Sequence, residues 1–135
     1  MAKNAKKFPV PRSDSFLGGY LTAALWSSTD ESDESGGNPL DDNYDISDIS
    51  DKLMGKAIAD CNKFEAENAS DLAATGADDS QNGHDFWLTR NGHGVGFWDR
   101  GYDEKLGDRL TDACKKFGYF NIYIGDDGKL YGDRG

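Results

Sequence analysis

Residues that staple or ligate are scarce in this chain: it has two cysteines and two histidines in 135 residues. Cys61 and Cys114 match no metal-binding or redox spacing, so both are expected as buried, reduced thiols. Long apolar runs are missing as well. Nothing approaches the roughly 18 residues needed to cross a bilayer, and the opening residues lack a signal-peptide pattern. No membrane partner is therefore expected, and the setting should be cytoplasmic. Cations are outnumbered, 15 Lys and Arg against 25 Asp and Glu, for a formal charge of −10. Direct nucleic-acid binding begins with cations neutralising phosphates, so that class is disfavoured. Aromatics, by contrast, reach 12% of residues, too many for an acidic disordered chain. The length fits one domain.

Residues 1–12 hold Lys3, Lys6, Lys7 and Arg12 and no acid. Pro9 and Pro11 favour an extended, flexible arm ahead of a single domain at 13–135. Ser13 can cap a helix over residues 14–26, in which Phe16, Leu17, Tyr20, Leu21, Ala24 and Leu25 share a face. Gly18 and Gly19 should weaken it by about 1 kcal/mol each. Residues 27–51 then carry nine acids and no Lys or Arg: Asp30, Glu31, Asp33, Glu34, Asp41, Asp42, Asp45, Asp48 and Asp51. Self-repulsion at this density predicts a long solvated loop, with Leu40, Tyr44, Ile46 and Ile49 able to pin its second half. Ser50 should cap a long helix to about residue 74.

Residues 84–101 read HDFWLTRNGHGVGFWDRG. Two aromatic runs flank Asn91-Gly92-His93-Gly94, the signal for a tight β-hairpin. That pairing sets Trp87 opposite Trp98 and Asp85 opposite Arg100. A helix over residues 103–117, ended by Gly118, and a closing hairpin (119–124 and 129–131) complete the pattern. The expected fold is α+β: an antiparallel sheet of two β-hairpins packed against about three helices, with a long acidic loop.

Candidate chemistry is sparse. His84 and His93 would lie on the order of 20 Å apart along the expected hairpin, so they cannot share a metal. Asp41, Asn43 and Asp45 have the spacing that opens an EF-hand loop, but Ile46 and Lys52 stand where Gly and Glu are needed. Gly92-His93-Gly94-Val95-Gly96 lacks the context of a phosphate loop. No metal and no cofactor is expected. Trp87 and Trp98 with Arg100 can form either half of a core or a platform that anchors a partner. The carboxylates Asp30, Glu31, Asp33, Glu34, Asp41 and Asp42 can steer a basic protein, or stand in for a phosphate backbone.

From about residue 21 onward the chain resembles small acidic proteins of bacteriophages, prophages and plasmids. The resemblance is carried by Ala24-Leu25-Trp26-Ser27-Ser28, Pro39-Leu40-Asp41, Asn43-Tyr44, the block Gly83-His84-Asp85-Phe86-Trp87-Leu88-Thr89-Arg90-Asn91, then Gly96-Phe97-Trp98-Asp99-Arg100-Gly101 and Tyr123-Ile124-Gly125-Asp126-Asp127-Gly128. It implies a bacterial cytoplasmic setting and a mobile-element gene. It supplies no catalytic residue. The leading expectation is an acidic binding protein that inhibits or redirects a bacterial host or defence protein, of anti-CRISPR or anti-restriction type. Two alternatives stand beside it. One is a small hydrolase or transferase using His84, Asp85, Asp99 and Arg100. The other is a structural or self-assembling phage component, an oligomer in which the basic arm docks on a neighbour's acidic loop.

Overall fold

A computed structural model describes residues 14–30, 38–92 and 96–134; the basic arm, with Ser13, and the acids Glu31, Asp33 and Glu34 lie outside the described residues. Five helices lie among the described residues: α1 (Asp14–Ser27), α2 (Asp51–Glu67), α3 (Ala69–Ala74), α4 (Asp79–Arg90) and α5 (Glu104–Lys115). The strands form two antiparallel ladders, β1 (Thr29–Asp30) with β2 (Asn38–Pro39) and β3 (Phe120–Ile124) with β4 (Leu130–Arg134). The architecture is α+β and mostly helical.

Local signals set several boundaries. The Ser50 hydroxyl accepts from the Leu53 backbone N–H at 3.1 Å and starts α2. Asn68 interrupts the expected long helix, its backbone at φ −124° separating α2 from α3. The Asp103 carboxylate accepts from the Lys105 N–H at 3.2 Å and caps α5. Gly118, at φ +75°, turns the chain out of that helix into β3. The β3–β4 register runs from Phe120 opposite Arg134 to Ile124 opposite Leu130. A bond from the Ser50 N–H to the Leu130 carbonyl (2.9 Å) ties this hairpin to the start of α2.

The hairpin expected over residues 84–101 is overturned. Residues 84–90 belong to α4, whose start is capped by Asp78, the carboxylate accepting from the Gln81 N–H at 2.8 Å. Asn91-Gly92 is a helix ending rather than a hairpin turn, with Gly92 at φ +70° and its N–H on the Thr89 carbonyl at 3.1 Å. The physical cause is burial on every side of the second half of α4. Asn82, Gly83 and all residues from Asp85 to Arg90 are buried, so no polar stripe marks the helical period, and a continuous apolar run looks the same for a buried strand. Residues 97–99 form a 3-10 turn, and His93 lies outside the described residues. The expected sheet of two hairpins therefore reduces to the β3–β4 ladder.

The core is built around α4. Phe64 of α2 and Phe86 of α4 stack with centroids 4.1 Å apart. Phe117 meets both edge-on, at 5.9 and 5.0 Å. Phe16 and Tyr20 of α1 pack on the same rings. Cys61 and Cys114 are free thiols inside this core. Burial pushes both thiols well above their ordinary range, which keeps them protonated and unreactive. A colorimetric thiol reagent is expected to leave both untouched in buffer and to titrate two thiols per chain once denaturant is added; rapid reaction in buffer would show that the core opens locally.

Candidate functional site

Described residues 38–50 of the acidic segment are more ordered than the expected solvated loop. Leu40 is buried and its N–H bonds the Ser28 carbonyl at 2.9 Å, so the chain returns onto the end of α1. Two 3-10 turns follow, Leu40–Asp42 and Ile46–Asp48. The second is locked by a reciprocal cap: Asp45 accepts from the Ser47 N–H at 2.9 Å, and Asp48 accepts from the Asp45 N–H at 2.8 Å. Hydrogen bonds from the Ser47 hydroxyl and N–H hold the Asp45 carboxyl below its usual range. Ile49 is buried and closes the segment onto the core, as its apolar character suggests. Asp41, Asp42 and Asp45 are exposed on this framework, and so is Ile46. Between the framework and α1 runs an open groove of about 490 Å³, lined by Thr22, Leu25, Asp41, Tyr44, Asp45, Ile46 and Ser47. Its floor is apolar and its rim carries two carboxylates.

The second candidate cluster is assembled, but by another route than the sequence suggests. Asp85, fully buried on α4, accepts two bonds from Arg100, from Nε at 3.0 Å and Nη2 at 2.7 Å. Gln81 Nε2 donates a third at 3.0 Å. His84 Nδ1 lies 3.9 Å from the Asp85 carboxylate, and the imidazole packs on Trp26 with centroids 5.9 Å apart. The Asp85–Arg100 contact expected of a strand pair thus exists between a helix and the segment after a 3-10 turn. The two tryptophans part company: Trp98 is 52% exposed, whereas Trp87 is buried and donates to the Ser27 hydroxyl at 2.7 Å. Trp87 is a core residue and offers no surface for a partner. Asp99 is exposed beside Trp98. With its oxygens held by Arg100 and Gln81, Asp85 is placed for structure more than for proton transfer.

Sequence reasoning missed Arg90. Its side chain, 1% exposed, donates from Nε to the Gly118 carbonyl (2.8 Å) and from Nη2 to the Phe117 carbonyl (2.8 Å). Nη1 reaches the Tyr20 hydroxyl (3.0 Å) and the Asp60 carboxylate (2.8 Å). The guanidinium also lies over the rings of Phe86, Phe117 and Phe120. Burial opposes its charge, but Tyr20 and Asp60 offset that and keep it protonated. Only its place between two hydrophobic stretches could have flagged it.

A further cleft, about 670 Å³, is lined by Lys56, Asp60, Lys63, Glu67 and Lys116 among others. Two of its lysines are already engaged, Lys56 by Asp60 at 3.1 Å and Lys63 by Glu67 at 2.8 Å. Among the described residues, no group of three His, Cys, Asp or Glu side chains could hold a metal ion, and no helix is long and apolar enough to cross a membrane.

Set against protein-family models, curated proteins and solved structures, the chain finds no match in any of the three.

Proposed function

We propose that this is an acidic binding protein of bacteriophage, prophage or plasmid type, which inhibits or redirects a basic bacterial protein in the host cytoplasm. The observation that supports the reading most is the outward presentation of Asp41, Asp42 and Asp45 on a segment fixed to the core at Leu40 and Ile49. Carboxylates held in place lose less conformational freedom on binding than carboxylates on a floppy loop. They sit in a stretch of residues 27–51 with nine acids and no compensating cation, so the local field is negative over a wide area. Such a surface steers a partner rich in Lys and Arg and competes with the nucleic acid that partner binds. Asp30, Glu31, Asp33 and Glu34 extend the charged stretch, and exposed Trp98 beside Arg100 supplies an aromatic anchor of the kind that dominates interfaces.

The test begins with affinity capture from nuclease-treated bacterial lysate at low and high salt, followed by titration of the captured protein in purified form. Reversing Asp41 and Asp42 together to lysine is expected to weaken binding by about tenfold or more, mainly through the association rate. A DNA duplex should compete for the same partner. Unchanged affinity in the charge-reversed variant would remove the acidic face from the interface. A catalysed turnover lost in His84→Ala, with folding intact, would favour the hydrolase or transferase reading instead.

A further inference from the structure

The groove between α1 and residues 40–48 matches one segment of this chain in both charge and apolar character. Its floor is Leu25, Tyr44 and Ile46, and its rim carries Asp41 and Asp45. An occupant needs an apolar side chain flanked by cations. Residues 6–12 read Lys-Lys-Phe-Pro-Val-Pro-Arg, with Phe8 and Val10 between Lys6, Lys7 and Arg12. The two prolines restrict this stretch to extended conformations, so less entropy is lost when it lies along a surface.

The face of α1 that leads to the groove is open. Ser15, Gly18 and Thr22 follow one another at three- and four-residue spacing. Ser15 and Thr22 are exposed, and a Cβ placed on Gly18 would meet nothing within 4 Å. Short side chains along this face leave a shallow track from the start of the helix to Thr22 and Leu25, which line the groove. The reach suffices. Thr22 and Leu25 lie about 12 and 16 Å along the axis from Asp14, at 1.5 Å per residue. Six Cα-to-Cα steps separate Phe8 from Asp14 and, when extended, span up to about 20 Å. A neighbouring molecule is therefore not needed to deliver the arm.

We propose that residues 6–12 of the same chain fold back along the Ser15–Gly18–Thr22 face and dock in this groove, with Phe8 on Leu25 and Ile46 and the flanking cations facing Asp41 and Asp45. The inference does not depend on the partner-binding reading. If both hold, a basic partner must displace the arm before it reaches Asp41.

The test uses the full chain with Lys7→Cys carrying a nitroxide. Cys61 and Cys114 are buried and leave the label at position 7. Backbone amide signals of Tyr44, Ile46 and Ser47 are expected to broaden several-fold relative to the reduced label. Asp41→Lys, or Lys6→Glu with Arg12→Glu on the arm alone, should relieve the broadening, and so should high salt. A mixture of isotope-labelled chain without nitroxide and unlabelled chain with it should show none. Broadening that appears in that mixture would overturn docking within one chain in favour of exchange between copies. Absence of broadening at these three residues would overturn docking of the arm altogether, and would say nothing against a basic partner in the same groove.

Discussion

Replacing Arg90 with leucine is expected to cost about 3–5 kcal/mol, the usual penalty for removing one partner of a buried ion pair. That is a large part of the stability of a domain, which is typically about 5–15 kcal/mol. Leucine leaves the Asp60 carboxylate, among the described residues, with Lys56 at 3.1 Å, and strips the Phe117 and Gly118 carbonyls of their donor. Those carbonyls lie just past the end of α5, where backbone acceptors lack helical partners. The same guanidinium bonds Tyr20 of α1 and Asp60 of α2, so one side chain on α4 joins three helices and the turn that follows α5. Burial pushes the Tyr20 hydroxyl far above its usual range, and it stays neutral as a polar neighbour for the guanidinium. Arg90→Lys should recover little, because a single ammonium cannot reach acceptors spread around a planar fork. Asp60→Asn keeps an acceptor oxygen and should cost less than Arg90→Leu. Urea unfolding of the three variants and of the Arg90→Leu/Asp60→Asn pair decides the matter. The double variant should lose clearly less than the sum of the singles. An Arg90→Leu protein that unfolds at the parent's urea midpoint would show that the network does not hold the fold.

What the sequence revealed and what it hid divide along a physical line. Signals confined to one turn were legible: the Ser50 cap, the Gly118 ending and the β3–β4 hairpin all depend on neighbours within a few residues. The charge of residues 27–51 was plain, and so was the pinning by Leu40 and Ile49, whereas Ile46, expected to pin with them, is 43% exposed. The nature of α4 was not. The second half of α4, from Asp85 to Arg90, is buried on all sides and carries no polar stripe at the helical period, and Phe86-Trp87-Leu88 followed by Asn91-Gly92 imitates a strand entering a turn. The Asp85–Arg100 pair was anticipated from a hairpin that does not exist, so the contact was correct and its cause was not. Arg90 was illegible because its role depends on α1, α2 and the end of α5 arriving at one point, which no local pattern records. The groove at Leu25 and Ile46 was hidden for a similar reason: half of it belongs to a helix and half to a segment that reads as loop.

Glycine in a helix is ordinarily a weakness, and Gly83→Ala or Gly19→Ala would be expected from propensity alone to stabilise by up to about 1 kcal/mol. The packing of α1 on α4 reverses that sign. A Cβ on Gly83 would collide with the Phe16 carbonyl oxygen and sit 2.8 Å from the carbonyl carbon. A Cβ on Gly19 would strike the Ser80 carbonyl in the same way. Each helix thus places one glycine against the backbone of the other. Backbone atoms cannot swing aside as a flexible side chain can, so the helices must separate and loosen the packing of Phe16, Tyr20, Phe86 and Trp87 between them. Overpacking of this kind costs about 1–3 kcal/mol and occasionally more, and either substitution is expected at the upper end. Gly55→Ala is the matched control, because it lies in α2 with nothing within 4 Å of an added methyl. It should stabilise by about 0.5–1 kcal/mol. Thermal melts of the three variants are therefore expected to shift in opposite directions for one chemical change, down for Gly19 and Gly83 and up for Gly55. Equal upward shifts in all three would mean that α1 and α4 do not approach as closely as their glycines allow.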